Sequence, residues 1–257
     1  MLIVVDAGNT TTAIGIYDKD ALTARYRFMT KQERTSDETA VLLKTFLEVE
    51  KLTFEDIEDC IISSVVPDIN YTLMSTFVKY MNITPIMVGP GIKTGIRIQT
   101  ENPREVGADR IVDALSAYTQ YGGPIIIVNF GTATRYDYVT EDGVFCAAVT
   151  SPGIKISADA LWSKAAQLPK IEIEKPESIL AANTITSMQA GLVYGYIGQT
   201  EYIIRKIKEE TARSDIKTVA CGGYANVIIP HTDVIDIHDP LLTIKGLKML
   251  YDKNKKR

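Results

Sequence analysis

I-V-V-D-A-G-N-T-T-T-A, residues 3–13, is written a second time as I-I-V-N-F-G-T-A-T-R-Y, residues 126–136. Each copy is a β-branched run, an Asp or Asn, one further residue, a Gly, and then hydroxyl-bearing residues. The copies pair Asp6 with Asn129 and Gly8 with Gly131, 123 positions apart in a chain of 257. A single copy is ordinary turn chemistry, because Gly tolerates positive φ and Asx side chains bond nearby backbone. Two copies heading two similar halves favour a functional pair: strand–turn–strand hairpins that handle phosphate, in a duplicated domain with a nucleotide held between its halves. The second copy carries an amide where the first carries a carboxylate.

Composition bounds the reading. With 46% hydrophobic and 23% charged residues, the chain is an ordinary globular protein. Its length accommodates two domains of about 120 residues each, with a core that needs no disulfide or metal staple. A net charge of −4 argues against non-specific nucleic-acid binding. The basic Lys253-Asn254-Lys255-Lys256-Arg257 end reads as a solvated, frayed tail. Cys60, Cys146 and Cys221 are far apart and odd in number, so they read as thiols in a reducing compartment, not a disulfide frame or zinc site. The two histidines, His231 and His238, supply little for a His-based catalytic pair. Neither a signal peptide nor a membrane span is expected, and the expected location is cytoplasmic.

Along the chain, Leu2 to Val5, Ala13 to Tyr17 and Leu22 to Phe28 read as three consecutive strands. A helix follows from Ser36-Asp37-Glu38 through Leu52, then a strand at Cys60-Ile61-Ile62 ending at Ser63-Ser64, a helix over Pro67 to Tyr80 and a strand over Pro85 to Val88. The second half repeats the pattern: strands at Ile125 to Val128, Ala133 to Val139 and Val144 to Val149, helices at Ile154 to Ala166 and Thr184 to Glu210, a strand at Val219-Ala220 and a last helix at Leu241 to Tyr251. This is an α/β pattern. The junction falls between Ala114 and Gly123, which divides the chain into 1–117 and 118–257. Gly191, Gly195 and Gly198 each weaken the long helix; they are tolerable where another helix packs closely, in a dimer or within the chain.

The common nucleotide signatures are absent. No Gly-x-x-x-x-Gly-Lys-Ser/Thr occurs, which excludes a P-loop. Gly89-Pro90-Gly91 with Asp109 is out of register for a dinucleotide fingerprint, and the segment reads as a loop.

An Asp-x-Gly hairpin at the head of each half is similar to the actin-like sugar-kinase architecture. Within it, the chain resembles the type III pantothenate kinase family. The matching stretches are Asp6-Ala7-Gly8-Asn9-Thr10, Asn102-Pro103-Arg104-Glu105-Val106-Gly107-Ala108-Asp109-Arg110, Phe130-Gly131-Thr132-Ala133-Thr134 and Ser151-Pro152-Gly153. Asn183-Thr184, Ser187-Met188-Gln189-Ala190-Gly191, Gly222-Gly223-Tyr224-Ala225 and Asp239-Pro240-Leu241-Leu242-Thr243-Ile244-Lys245-Gly246-Leu247 complete the set. They span the chain in family order; each alone is weak and together they are specific.

The resemblance implies an α/β fold of two duplicated ribonuclease-H-like (actin-like ATPase) domains with a nucleotide cleft between them. It implies transfer of the ATP γ-phosphate to the primary hydroxyl of pantothenate, the first step of coenzyme A biosynthesis, by a homodimer. Carried over by residue, Asp6, Ala7, Gly8, Asn9, Thr10, Thr11, Thr12 and Ala13 hold ATP and Mg2+, and Thr132 contacts ATP. Gly107, Ala108, Asp109 and Arg110 hold pantothenate, Asp109 accepts its hydroxyl proton, and Thr184 contacts it. These roles suit phosphoryl transfer, which needs positioning and charge neutralisation more than covalent chemistry. A carboxylate orients hydrated Mg2+, backbone N–H groups near Gly8 cradle phosphate oxygens, and Arg110 pairs with a carboxylate in a fork geometry.

Three positions depart from the family pattern. Asn129 stands where an Asp associated with a monovalent cation, potassium or ammonium, is usual; Arg135 replaces a Thr; and Thr100 stands where an aromatic residue contacts substrate. An amide keeps one acceptor oxygen and loses a full charge. The intact Asp6 and Asp109 favour an enzyme. The three departures keep two other readings open: a non-catalytic relative that acts by binding, and a kinase for a different small hydroxyl substrate.

Overall fold

The computed structural model describes residues 1–255, so Lys256 and Arg257 of the expected frayed tail lie outside the described residues. The chain divides into two compact units.

The first unit opens with β1 (Leu2–Ala7), β2 (Thr11–Asp18) and β3 (Ala21–Met29). Short turns join them, so they pair antiparallel. Next come α1 (Ser36–Val49), β4 (Asp59–Ser64), α2 (Pro67–Met81) and β5 (Ile86–Met87). The helical connections return β4 parallel to β1 and β5 parallel to β4, giving the sheet order β3-β2-β1-β4-β5. α1 starts in a capping box: the Thr35 hydroxyl accepts from the Glu38 N–H at 3.2 Å, and the Glu38 carboxylate accepts from the Thr35 N–H at 2.8 Å. It ends at Val49, short of the expected Leu52, because Lys51 turns left-handed at φ 60° and the Leu52 N–H reaches back to the Leu47 carbonyl.

The second unit repeats this topology. After β6 (Arg97–Ile98) and α3 (Ala108–Tyr121), whose first turns belong to the first unit, come β7 (Ile125–Phe130), β8 (Ala133–Val139) and β9 (Val144–Pro152), an antiparallel meander. Then follow α4 (Ile154–Lys164), α5 (Thr184–Glu210), β10 (Lys217–Cys221), α6 (Ala225–Ile228) and β11 (Ile237–His238). The order is β11-β10-β7-β8-β9-β6, with β10 and β11 parallel to β7 and the short β6 added on the β9 edge. Two sheets with the same strand directions in the same order are the duplicated ribonuclease-H-like architecture that the paired hairpins predict.

α7 (Leu242–Asn254) closes the described chain. A single cut at residue 117/118 assigns it to the second half, yet it packs in the first unit, which comprises Met1–Ile96, Asn102–Ser116 and the chain from Leu242 onward. The reason is side-chain fit. Gly15 on β2 leaves room for Ile244, whose methyl lies 2.8 Å from where a Cβ would stand. The Tyr251 hydroxyl donates to Asp59 at 2.8 Å, and Lys248 pairs with Asp20 at 2.9 Å.

Each sheet has one face on its own core. In the first, Ile3, Val5, Ala7, Ile14, Ile16 and Ile62 point into a cluster with Leu43, Leu47, Leu73 and Phe77 of α1 and α2. In the second, Ile126, Val128, Phe130, Tyr136 and Tyr138 meet Leu192, Val193, Tyr196 and Ile197 of α5. By the two-residue alternation of strands, Asp6 and Asn129 fall on the opposite faces of their sheets. No helix among the described residues is long and apolar enough to cross a membrane.

Candidate active site

The two hairpins differ by one residue. In the first, Asp6 pairs with Ala13 across the ladder, and the Gly8 N–H donates to the Thr11 carbonyl at 3.1 Å. In the second, Asn129 pairs with Arg135, and the Gly131 N–H donates to the Ala133 carbonyl at 3.2 Å. The loop of Gly131 and Thr132 is thus shorter than the loop of Gly8, Asn9 and Thr10. A strict repeat would set Tyr136 in the place of Ala13. The shorter loop gives that place to Arg135 instead.

In the first unit Asp6 is half-buried at the end of β1, between Ala13 on β2 and Ser63 on β4. Thr12 is buried, and its hydroxyl lies 2.9 Å from that of Thr30, which donates to the Gly8 carbonyl at 2.7 Å. These bonds fix the loop so that its backbone is presented in one conformation. Asn9, Thr10 and Thr11 at the tip are exposed. The same unit holds Gly107, Ala108, Asp109 and Arg110 at the start of α3, all half-buried. The Asp109 carboxylate accepts from the Arg110 N–H at 2.9 Å. Gly107 leaves space for the acid: a Cβ would stand 2.8 Å from Asp109 Oδ1, so a larger residue would make that carboxylate shift. Asp6 to Ala13 and Gly107 to Arg110 therefore share one unit, while Thr100, Thr132 and Thr184 belong to the other.

In the second unit the Asn129 hairpin is closed in by two glycines. A Cβ on Gly153 would stand 2.3 Å from the Thr132 carbonyl oxygen and 2.4 Å from that of Gly131. A Cβ on Gly222, which has φ +97°, would strike the Phe130 backbone at 2.6 Å. Arg135 is only 8% exposed, so a solvent-facing guanidinium is excluded. Asp137 lies two residues along the same face of β8 and is 1% exposed. A buried cation with a carboxylate on its own face avoids the cost of an isolated buried charge. Thr132 in the loop is exposed. Thr100 follows β6, and its hydroxyl is buried with no hydrogen-bond partner among the described residues. Thr184 begins α5 just after Asn183, whose side chain caps the helix by accepting from the Thr186 N–H at 3.0 Å.

Sequence reasoning gave no site role to three residues. Ser63 is the β4 neighbour of Asp6, and Cys221 is the β10 neighbour of Asn129. Asp239, 4% exposed, accepts from the Tyr121 hydroxyl at 2.8 Å and from the Leu241 N–H at 3.0 Å. Burial, and then this bond to Asp239, pushes the Tyr121 hydroxyl up to about 12. The repeat itself marks the first two, since both stand one parallel strand from the Asx of a hairpin. Among the described residues no three His, Cys, Asp or Glu side chains gather as a metal cage. Asp6 is a hard-oxygen donor on β1 just before the Gly8 loop. This suits Mg2+, which is commonly held by one or two carboxylates, water and substrate phosphates.

A family model described as type III pantothenate kinase matches residues 2–206. A curated type III pantothenate kinase of Agathobacter rectalis is 54% identical over 257 residues, covering 100% of this chain and 99% of that protein. Among solved structures, a Campylobacter jejuni protein assigned to the Baf family of transcriptional activators aligns with a TM-score of 0.59 at 16% identity, over 98% of each chain. A Sinorhizobium meliloti protein assigned as a 2-dehydro-3-deoxygalactonokinase aligns at 0.57 and 12% identity, again over 98% of each chain. At such identities these structures speak to the fold alone.

Proposed function

The chain belongs to the type III pantothenate kinase family, and from that premise we propose how its residues carry out transfer of the ATP γ-phosphate to pantothenate. The observation that carries the reading is the full-length identity of 54% to a type III pantothenate kinase. Asp6 and Asp109, the two acids the chemistry requires, are both present and both in the first unit. The chain is an ATP-dependent kinase. The non-catalytic reading loses its footing, because the relative matched along the whole chain is itself described as a kinase.

Asp6 to Ala13 and Thr132 bind ATP. The Thr30 bonds to Thr12 and Gly8 hold the first loop ready, so little ordering is lost on binding. When bound, Mg2+ supplies charge neutralisation at the phosphates; Asp6 is the residue that would hold it, with Asn129 in the position of a second cation ligand. Gly107, Ala108, Arg110, Thr100 and Thr184 bind pantothenate. Arg110 takes the carboxylate, and the Thr100 hydroxyl, which has no protein partner among the described residues, becomes a substrate hydrogen-bonding group when binding displaces the atoms that cover it. Asp109 accepts the hydroxyl proton as the oxygen attacks; Gly107 leaves room for its carboxylate and the helix start fixes it.

The enzyme acts in the cytoplasm as a homodimer. The glycine face of α5 supports this: Gly191, Gly195 and Gly198 are exposed, and an added Cβ at any of them would meet nothing within 4 Å. Close packing inside the chain therefore does not account for them. A buried Arg135 supports a fixed charge in place of a monovalent cation. The substrate is tested by offering pantothenate beside other small hydroxy acids of similar size. Preference for pantothenate in kcat/KM is expected, and preference for another acid would move the substrate assignment.

A further inference from the structure

Ser63 is fully buried at 0% exposure, and its Oγ has no hydrogen-bond partner among the described residues. Its neighbour Ser64 is different: that hydroxyl accepts from the Val66 N–H at 3.1 Å and closes the turn out of β4. Ser64 is thus explained by the fold, and Ser63 is not. A buried hydroxyl left unbonded is a net cost to the folded chain. A residue that carries such a cost in one state is accounted for if it gains a partner in another.

The register names that partner. Ser63 stands directly beside Asp6 on adjacent parallel strands, so both side chains lie on the same face, away from the Ile3, Val5 and Ile62 core. Oγ is enclosed, and a ligand cannot reach it without displacing protein atoms. The acceptor next to it within the protein is the Asp6 carboxylate. The duplicated sheet supplies an internal comparison. Where the acid of the hairpin has become Asn129, the neighbour in the position of Ser63 has become Cys221, a weak donor. The strong hydroxyl donor accompanies the carboxylate.

We propose that Ser63 is a positioning residue for Asp6: its Oγ–H donates to one carboxylate oxygen when Asp6 turns to hold the hydrated Mg2+ of bound ATP, leaving the other oxygen aimed at the metal's water shell. The proposal rests on the reading of Asp6 as the group that holds Mg·ATP. In the ligand-free protein the hydroxyl is a liability, and in the complex it orients the acid.

The test is calorimetric binding of ATP with and without Mg2+, together with thermal unfolding of the ligand-free protein, for Ser63→Ala and Ser63→Cys. Ser63→Ala is expected to weaken Mg·ATP about tenfold, the scale of one hydrogen bond to a charged group. It should leave metal-free ATP binding unchanged and the unfolding temperature equal to or above wild type. Ser63→Cys should fall between. In an Asp6→Asn background, Ser63→Ala should have no further effect. Unchanged Mg·ATP affinity in Ser63→Ala, or equal weakening with Asp6→Asn in place, overturns the proposal while the reading of Asp6 stands. If Asp6→Asn alone leaves Mg·ATP affinity intact, that reading fails and the proposal fails with it.

Discussion

Arg135 lies directly across the β7–β8 ladder from Asn129, where the first hairpin places Ala13 across from Asp6. Directly opposed residues on antiparallel strands share a face, with Cβ atoms about 5 Å apart. The loss of a carboxylate at position 129 and the gain of a guanidinium at 135 therefore occur at one place. Under the proposed role of position 129 as a cation ligand, together they exchange a site that would attract a cation for one that carries its own.

From this follows weak dependence on potassium. Turnover of the wild type should be similar in potassium and in sodium. Asn129→Asp combined with Arg135→Thr should become potassium-stimulated, because it restores the carboxylate and removes the competing charge. Strong potassium stimulation of the wild type would refute the exchange, and an inactive wild type revived by the double change would identify a disabled kinase.

The second hairpin depends on Gly153. Its φ of −73° is open to any residue, so the demand is purely steric, set by the Thr132 and Gly131 carbonyls within 2.4 Å of an added Cβ. Gly153→Ala should destabilise the protein by about 1–3 kcal/mol, as overpacking does, and lower ATP affinity by shifting Thr132. Gly89→Ala, where a Cβ meets nothing within 4 Å, is the control, expected within about 0.5 kcal/mol of wild type. Equal behaviour of the two variants in denaturant titrations would contradict the role given to Gly153.

The exposed glycines of α5 lead to a third expectation. Sedimentation should show a dimer at micromolar concentration. Gly195→Leu has room in the isolated chain, since a Cβ there meets nothing within 4 Å, but it prevents close approach of a second helix. That variant should sediment as a monomer with unchanged helical content. A monomeric, active wild type would remove the dimer from the account.

Much of this was legible in the sequence because the deciding signals are local. The Asp-x-Gly and Asn-x-Gly turns locate both hairpins, and the apolar stripe of 184–210 locates α5 to the residue. The signals that were missed are long-range. Nothing near Ile244 says that it fills the space left by Gly15 on a strand of the first unit, which is why α7 reads as part of the second half. The two-residue β6 is too short to carry a period and exists because Arg97 and Ile98 meet the β9 edge. Ser63 looks like the polar end of a buried strand until the register sets it beside Asp6, 57 positions away. The one-residue difference between the hairpins is invisible as well, because both carry the same string of small and hydroxyl residues.

The central claim is that Asp109 accepts the pantothenate hydroxyl proton in a working kinase, and the direct measurement is product formation by wild type and Asp109→Asn side by side. Purified protein with ATP, Mg2+ and pantothenate should give ADP and 4'-phosphopantothenate in equal amounts, identified by mass. Asp109→Asn should bind ATP as wild type does while turning over about 10²–10⁴-fold more slowly, the usual cost of losing a general base. Wild-type turnover in the Asp109→Asn protein would contradict the account.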